Sequence, residues 1–313
     1  MPYKKFDRRA VKMEPLSSRT NKKFIEDDHV PAGARPGPLT AAAGELISEL
    51  SGRMRDAREN QRSVMITFGA HAIKNGLGPV LLQLVDSDWV THLATNGAGV
   101  IHDWEFAFQG QSCEHVGPMV NEGKFGNWQE TGFYINLALN VGAYEGLGYG
   151  ESVGKMIQGE GLTIPSPDEL QDSVAKHLGD DAGQVAAAAD LLSITREFEL
   201  DSGWLSIPHP WKRYSVQAGA YHKQVPFTGH PMIGHDIIYN HPMNHGACLG
   251  RAAERDFLTF AESVSRLEGG VYISIGSAVM SPMVFEKSLS IAQNLAIQRG
   301  EHIDDHYIFV NDI

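Results

Sequence analysis

Four histidines, His230, His235, His241 and His245, fall in one short stretch of the sequence, with His222 a little upstream. Imidazoles grouped in this way can hold a metal ion, or line a pocket as donors, acceptors and proton carriers. His241 and His245 stand four apart, a ligand spacing on a helix, and Asp236 could add an oxygen. Pro242 follows His241 directly and disfavours a helix there beyond its first turn. The pocket-lining reading is preferred, no metal site is assigned, and Asp236 with its neighbour His235 forms the candidate catalytic pair. Lys287 sits inside a predicted helix and reads as a surface residue.

A second set of candidates is small rather than charged. Gly69-Ala70-His71, Asn96-Gly97-Ala98-Gly99, Gly276-Ser277 and Asn311-Asp312 each close a β-prone run. In an open parallel sheet, ligands sit beyond the carboxyl ends of the strands, and small residues there let backbone approach a nucleotide. Helix amino termini just after such corners can hold phosphates. GLGYGESVG (146–154) does not add to this set. Its glycines are two apart, so no G-x-G-x-x-G exists, and it is predicted to be a flexible loop.

The elements that must position these residues alternate. SVMITFGAH (63–71) reads as a strand, 76–88 as a helix, 89–99 as a strand entering a glycine-rich turn, and 102–110 as a helix. After Thr40 a helix carries Leu46, Ile47, Leu50 and Met54 on one face. A helix is expected over Glu130–Asn140. Ser166, Pro167 and Glu169 open a capped helical pair that ends near residue 198. Residues 223–236 are strand-like, 249–267 helical, 269–279 a strand, 281–300 a helix and 306–313 a last strand. The pattern predicts an α/β fold: a doubly wound, Rossmann-like parallel sheet with flanking helices and a helical insertion. VPAGARPGPL (30–39) reads as linker. Residues 1–39 are expected to be an N-terminal arm and linker, and 40–313 a single domain.

Composition removes several classes. The 313 residues are 42% hydrophobic and 20% charged, too apolar for a disordered chain. Cys113 and Cys248 cannot make a disulfide framework or a thiolate zinc site. The densest apolar stretch, around Leu77 to Val85, is short of a membrane span, and the basic first residues lack the apolar core of a signal. A soluble, cytoplasmic protein with no membrane partner is expected. Residues 1–23 hold eight basic and two acidic side chains, while the remainder holds 18 basic against 36 acidic. The arm is expected to lie on the acidic body of its own chain or a neighbouring subunit rather than on nucleic acid.

Three blocks, GAHAIKNGLGPVLLQL, LATNGAGVIHDWEFAFQG and GKFGNWQETGFYINLALN, resemble the deoxyhypusine synthase family, and more specifically its bacterial deoxyhypusine synthase-like branch. The resemblance runs through most of residues 20–313. It implies bound NAD, a homotetramer with sites at a dimer interface, and transfer of an aminobutyl group from spermidine to an amine acceptor. It implies NAD contacts at Gly69, Ala70, His71, Lys74 and Gly76, at Asn96, Gly97, Ala98, Gly99 and Asp103, at Gly276 and Ser277, and at Asn311 and Asp312. The aspartate that holds the polyamine falls on Asp236.

The departures bear on activity. Two adjacent glutamates of the eukaryotic enzymes correspond to Ile101 and His102, which removes charge pairing for a polycation. A family histidine falls near Ser281, followed by Pro282. The family's catalytic lysine lies beyond the strand ending at Asp312, where this sequence holds Ile313, and Lys287 precedes that strand. The alternative readings are a non-catalytic NAD-binding paralogue lacking the lysine nucleophile, and a metal-assisted hydrolase built on the histidine loop.

Overall fold

Five β-prone runs line up in one parallel sheet: β1 (Val64–Phe68), β2 (His92–Asn96), β3 (Phe227–His230), β4 (Val271–Ile275) and β5 (Tyr307–Asn311). This computed structural model describes residues 3–312; Met1, Pro2 and Ile313, the last residue of the predicted final strand, lie outside the described residues. The strands are ordered β3-β2-β1-β4-β5, with every neighbouring pair parallel. Phe68 registers with Thr95 and Ile275, Asn96 with His230, and Ile275 with Asn311, so the carboxyl ends form one level rim.

Besides two short helices at Ile25–Asp28 and Val116–Asn121, the helices are α1 (Ala41–Glu59), α2 (Ala70–Lys74), α3 (Gly78–Asp86), α4 (Gly97–Gln109), α5 (Gln129–Glu145), α6 (Tyr149–Gly159), α7 (Pro167–His177), α8 (Ala182–Glu197), α9 (Val216–His222), α10 (Gly246–Ser265) and α11 (Met280–Gln298). Strand side chains alternate between two layers. Val64, Ile66, Phe68, Leu93, Val271 and Ile273 join a large core with Leu81, Val85, Val100 and Trp104 of α3 and α4. Met65, Ala94 and Tyr272 point the other way, onto Phe260 and Val264 of α10 and Ala292 and Ala296 of α11. Burial of each large side chain contributes about 1.5–3 kcal/mol. The sheet is therefore covered on both faces, and the fold is doubly wound and Rossmann-like. No helix among the described residues is long and apolar enough to cross a membrane.

The capped helical pair forms as expected: Glu169 N–H donates to Ser166 Oγ (3.2 Å), and Ser166 N–H donates to the Glu169 carboxylate (2.7 Å). The basic arm lies on its own chain. Residues Asn21–Phe24 pair antiparallel with Gln111–Glu114, Leu16 and Ile25 enter the large core, and Arg9 meets Glu197. Arg19 grips Glu105 through both carboxylate oxygens at 2.7 Å.

Three expectations are corrected. The glycine-rich segment after β2 is not a turn but the first turn of α4, which begins at Gly97 rather than 102. Residues 146–154 are not a flexible loop, because α6 starts at Tyr149. Their glycines serve contact: a Cβ on Gly150 would strike the Phe227 carbonyl. Leu46 and Ile47, expected on the buried face of α1, are exposed; only Leu50 and Met54 of that face reach the core.

Candidate functional site

The chain runs from β1 through β2 to β3 on one side, then crosses to β4 on the other, so the strand order switches between β1 and β4. A crevice outside the carboxyl ends opens at such a point. The corners predicted from sequence meet there. Gly69 N–H donates to Ile275 O and Gly276 N–H to Asn311 O, each 2.9 Å, which ties the ends of β1, β4 and β5 together.

The reason for glycine at these corners differs from the expected one. A Cβ on Gly69 would strike the Gly276 carbonyl, one on Gly97 the Asp236 carboxylate, and one on Gly99 the Thr95 hydroxyl. Those three glycines let the protein pack against itself. Gly276, with φ +56°, faces open space and is the corner with room beside it. Gly97 and Ala98, in the first turn of α4 where amides have no partners inside the helix, line the crevice. Asn96 caps that helix by accepting from Gly99 N–H (2.9 Å).

Other predicted contacts sort by position. Ala70 is half-buried, His71 is exposed, and Lys74 lines a cavity of the crevice. Asp312 follows β5 and is exposed. Ser277 accepts from Ser281 N–H (3.2 Å) and holds the first turn of α11. Gly76, with φ +79°, packs under Asp28 and His29. Asp103 is buried away from the crevice. Its carboxylate accepts from the Ser215 hydroxyl (2.6 Å), Val216 N–H (2.9 Å) and the Gln217 side chain (2.9 Å), anchoring the start of α9.

Two cavities flank Asp236. One, about 260 Å³, is lined by Asn96, Gly97, Ala98, His230 and Met280. The other, about 240 Å³, is lined by Lys74, Ile101, His102, Glu105 and Glu114. Ala98, His235 and Asp236 border both. Burial pushes the Asp236 carboxyl up to about 7, against a weaker opposing effect of its bond from Ile238 N–H (3.2 Å). His235 is exposed beside it. A carboxyl poised near neutrality between two cavities can accept and return a proton.

Residues not anticipated from the sequence complete the second cavity. Burial pushes Glu105 up, but the Arg19 guanidinium outweighs it and holds Glu105 below the usual carboxylate range. Burial raises Glu114, although the Trp128 indole N–H donates to it (2.9 Å). Arg19 and Lys74 line the same cavity, so the Glu105 charge is offset within it. Glu105 left a trace in the sequence, an acid inside the apolar run HDWEFAFQG; Arg19 and Glu114 are distant in sequence and left none.

The histidine loop does not form one metal cluster. His230 is buried at the end of β3, His241 accepts from Met243 N–H (3.0 Å), and His245 caps α10. His245 comes together with Asp190 and Cys248, but Arg251 already donates to Asp190 at 2.6 Å, so a guanidinium already offsets the one carboxylate of the group. His222 lines a cavity of about 520 Å³, which opens around Gln224–Phe227 at the amino end of β3, away from the crevice.

No family model matches the sequence, and no curated protein matches it. Among solved structures, unliganded AgrE is similar at 14% identity and a TM-score of 0.46, over 89% of this chain and 32% of AgrE. A conserved protein of Methanococcus maripaludis S2 assigned to the LOR/SDH group is 12% identical, with a TM-score of 0.41, over 90% of this chain and 68% of that one. An Entamoeba histolytica protein assigned as a deoxyhypusine synthase is 11% identical, with a TM-score of 0.33, over 70% of this chain and 59% of that one. The chain spans about a third of the length of AgrE. These are distant likenesses of fold, and at such scores they carry nothing about residues or reaction.

Proposed function

We propose that the protein is an NAD-dependent enzyme of the deoxyhypusine synthase kind, which oxidises a polyamine such as spermidine and passes an aminobutyl-type group to an amine acceptor. The observation that carries this reading is Asp236, half-buried between two cavities beyond the carboxyl ends of the strands, where burial pushes its carboxyl up to about 7.

The residues present fit the cofactor. First-turn amides at Gly97 and Ala98, the open corner at Gly276 and the start of α11 at Met280 offer donors and room for a dinucleotide. NAD, when bound, supplies the hydride acceptor. The chain's own groups do the rest. Glu114 and Asp236 draw a cationic amine into the second cavity, and Asp236 takes the proton from its nitrogen as the neighbouring carbon is oxidised. His235 borders the same space and can relay that proton outward.

Homotetramer assembly in the cytoplasm belongs to the same proposal. Exposed Ile308 and Val310 on the edge strand β5, with Ile291 and Leu295 on α11, offer apolar surface for a second copy.

The test is spermidine-dependent reduction of NAD, followed by absorbance. Wild type is expected to turn over with an acid limb near pH 7, and Asp236→Asn to lose about 10²–10⁴-fold in kcat while remaining folded. Turnover unchanged in that variant removes Asp236 from the mechanism. NAD binding without turnover favours the non-catalytic paralogue.

A further inference from the structure

Two buried relays end at the crevice, one at each cavity. In the first, Ser263 Oγ lies 2.8 Å from His92 Nδ1, His92 Nε2 lies 2.9 Å from Thr228 Oγ1, and Thr228 Oγ1 lies 2.9 Å from His230 Nε2. In the second, His102 Nδ1 lies 2.6 Å from Ser112 Oγ, and the Ser112 hydroxyl donates to Glu105 at 2.6 Å. All three imidazoles are lowered by burial, His92 to about 3 and the others to about 4, so each is neutral near pH 7 and carries a single N–H.

Proton counting together with burial sets the direction of each relay. Among the described residues the buried Ser263 hydroxyl has one hydrogen-bond partner, His92 Nδ1; accepting there would leave its own hydrogen unpaired in a dry site, whereas the His230 end of the relay opens on a cavity, so we place the Ser263 proton on His92 Nδ1. His92 must therefore carry its hydrogen on Nε2 and donate it to Thr228 Oγ1. The Thr228 hydroxyl in turn donates to His230 Nε2. That leaves the His230 hydrogen on Nδ1, which has no partner among the described residues, on a ring that lines the first cavity. The second relay runs the other way. Ser112 spends its proton on the ionised Glu105, so it can only accept from His102 Nδ1–H. The His102 Nε2 lone pair is then the atom left for the second cavity.

We infer that the two cavities have opposite hydrogen-bond polarity: His230 presents a fixed N–H donor to one, and His102 a fixed acceptor to the other. The first cavity accordingly takes a group with an acceptor oxygen, and the second a donor such as an amine. A protonated amine set against the His230 N–H would meet a donor with a donor, a mismatch that leaves both unpaired. Resting on the NAD and polyamine reading above, the acceptor at His230 is the carbonyl oxygen of the nicotinamide carboxamide, and the donor at His102 is an amine nitrogen of the substrate. His230 is then a specificity-determining residue for the cofactor side. His92, Thr228 and Ser263 are positioning residues that act through it.

Histidine labelled with nitrogen-15 and carbon-13 reads the tautomers directly by NMR above pH 7, in the full-length protein. The expected result is hydrogen on Nδ1 in His230 and His102 and on Nε2 in His92. Hydrogen on Nε2 of His230, or on Nε2 of His102, overturns the inference. Ser263→Ala is expected to free the first relay and move part of the His230 population to the Nε2–H form; Ser263→Thr, which keeps the hydroxyl, is expected to restore the wild-type tautomer. Unchanged tautomers in Ser263→Ala also overturn it. In titrations, NAD is expected to shift the His230 signals and spermidine those of His102, and the reverse pattern overturns the assignment of sides. His230→Phe is expected to raise the Kd for NAD about tenfold, the loss of one hydrogen bond in a shielded site. If neither ligand binds, the functional reading fails, while the tautomers still decide the polarity.

Discussion

Asp236 rests against Gly97 so closely that no side chain fits between them, and the same holds for Gly99 against Thr95. These contacts decide what a substitution at either glycine does. At Gly99 the obstacle is internal: Thr95 Oγ1 is held in place by its bond to the Phe68 carbonyl (2.7 Å) and cannot simply rotate away. Gly99→Ala is therefore expected to cost about 1–3 kcal/mol of stability, measured by urea unfolding, whether or not NAD is present. A variant as stable as wild type would show that α4 can shift without strain. The glycines at 69, 97 and 99 were legible as corners of a sheet, but their purpose was not. A Cβ clash is a property of two segments brought together by the fold, and neither segment shows it alone.

Elements explain which further residues stayed hidden. The strands were readable because β1 is buried along its whole length and its run VMITF is β-branched and aromatic in character. The start of α4 was not, since Gly97 and Gly99 are poor helix formers and tertiary contact overrides that preference. Glu105 projects from α4 and meets Arg19 of the N-terminal arm, with each side chain only 1% exposed. Ser112 and Thr131 also donate to Glu105, so the arm, α4 and α5 share one carboxylate. Arg19→Ala is expected to leave that charge buried and unpaired, at a cost of about 3–5 kcal/mol in chemical unfolding. Arg19→Ala with Glu105→Gln should recover much of the loss. A small effect of the single variant would mean that water reaches Glu105 once the guanidinium is gone.

At the scale of the whole molecule, pH acts on stability through buried groups of opposite sign. Buried imidazoles such as His92 and His230 have lowered pKa values, so their contribution is lost as pH falls below the ordinary histidine range. Asp256 works the other way. It accepts from Gly150 N–H (2.9 Å) and Gly229 N–H (2.6 Å), linking α10, α6 and β3, and burial pushes it up to about 8. From the ordinary aspartate range up to about 8 the folded chain holds this proton and the unfolded chain does not. Asp256 therefore removes about 1.4 kcal/mol of stability per pH unit as pH rises through that window. Asp256→Asn is expected to lack that slope, so that the stability difference between variant and wild type changes by about 1.4 kcal/mol per pH unit from pH 5 to 8. A difference that stays flat would place the Asp256 pKa near its ordinary value. The doubly wound sheet was readable from the alternation of strands and helices. The crevice residues Arg19, Glu105, Glu114 and His230 come from four separate segments that only the closed fold assembles.

The most direct measurement is a crystal structure determined with NAD. The dinucleotide is expected at the switch point, beside Gly276 and the first turn of α4, with its nicotinamide in the cavity bordered by His230 and Asp236. NAD bound elsewhere, or a crevice that stays free of it at saturating concentration, would contradict the account.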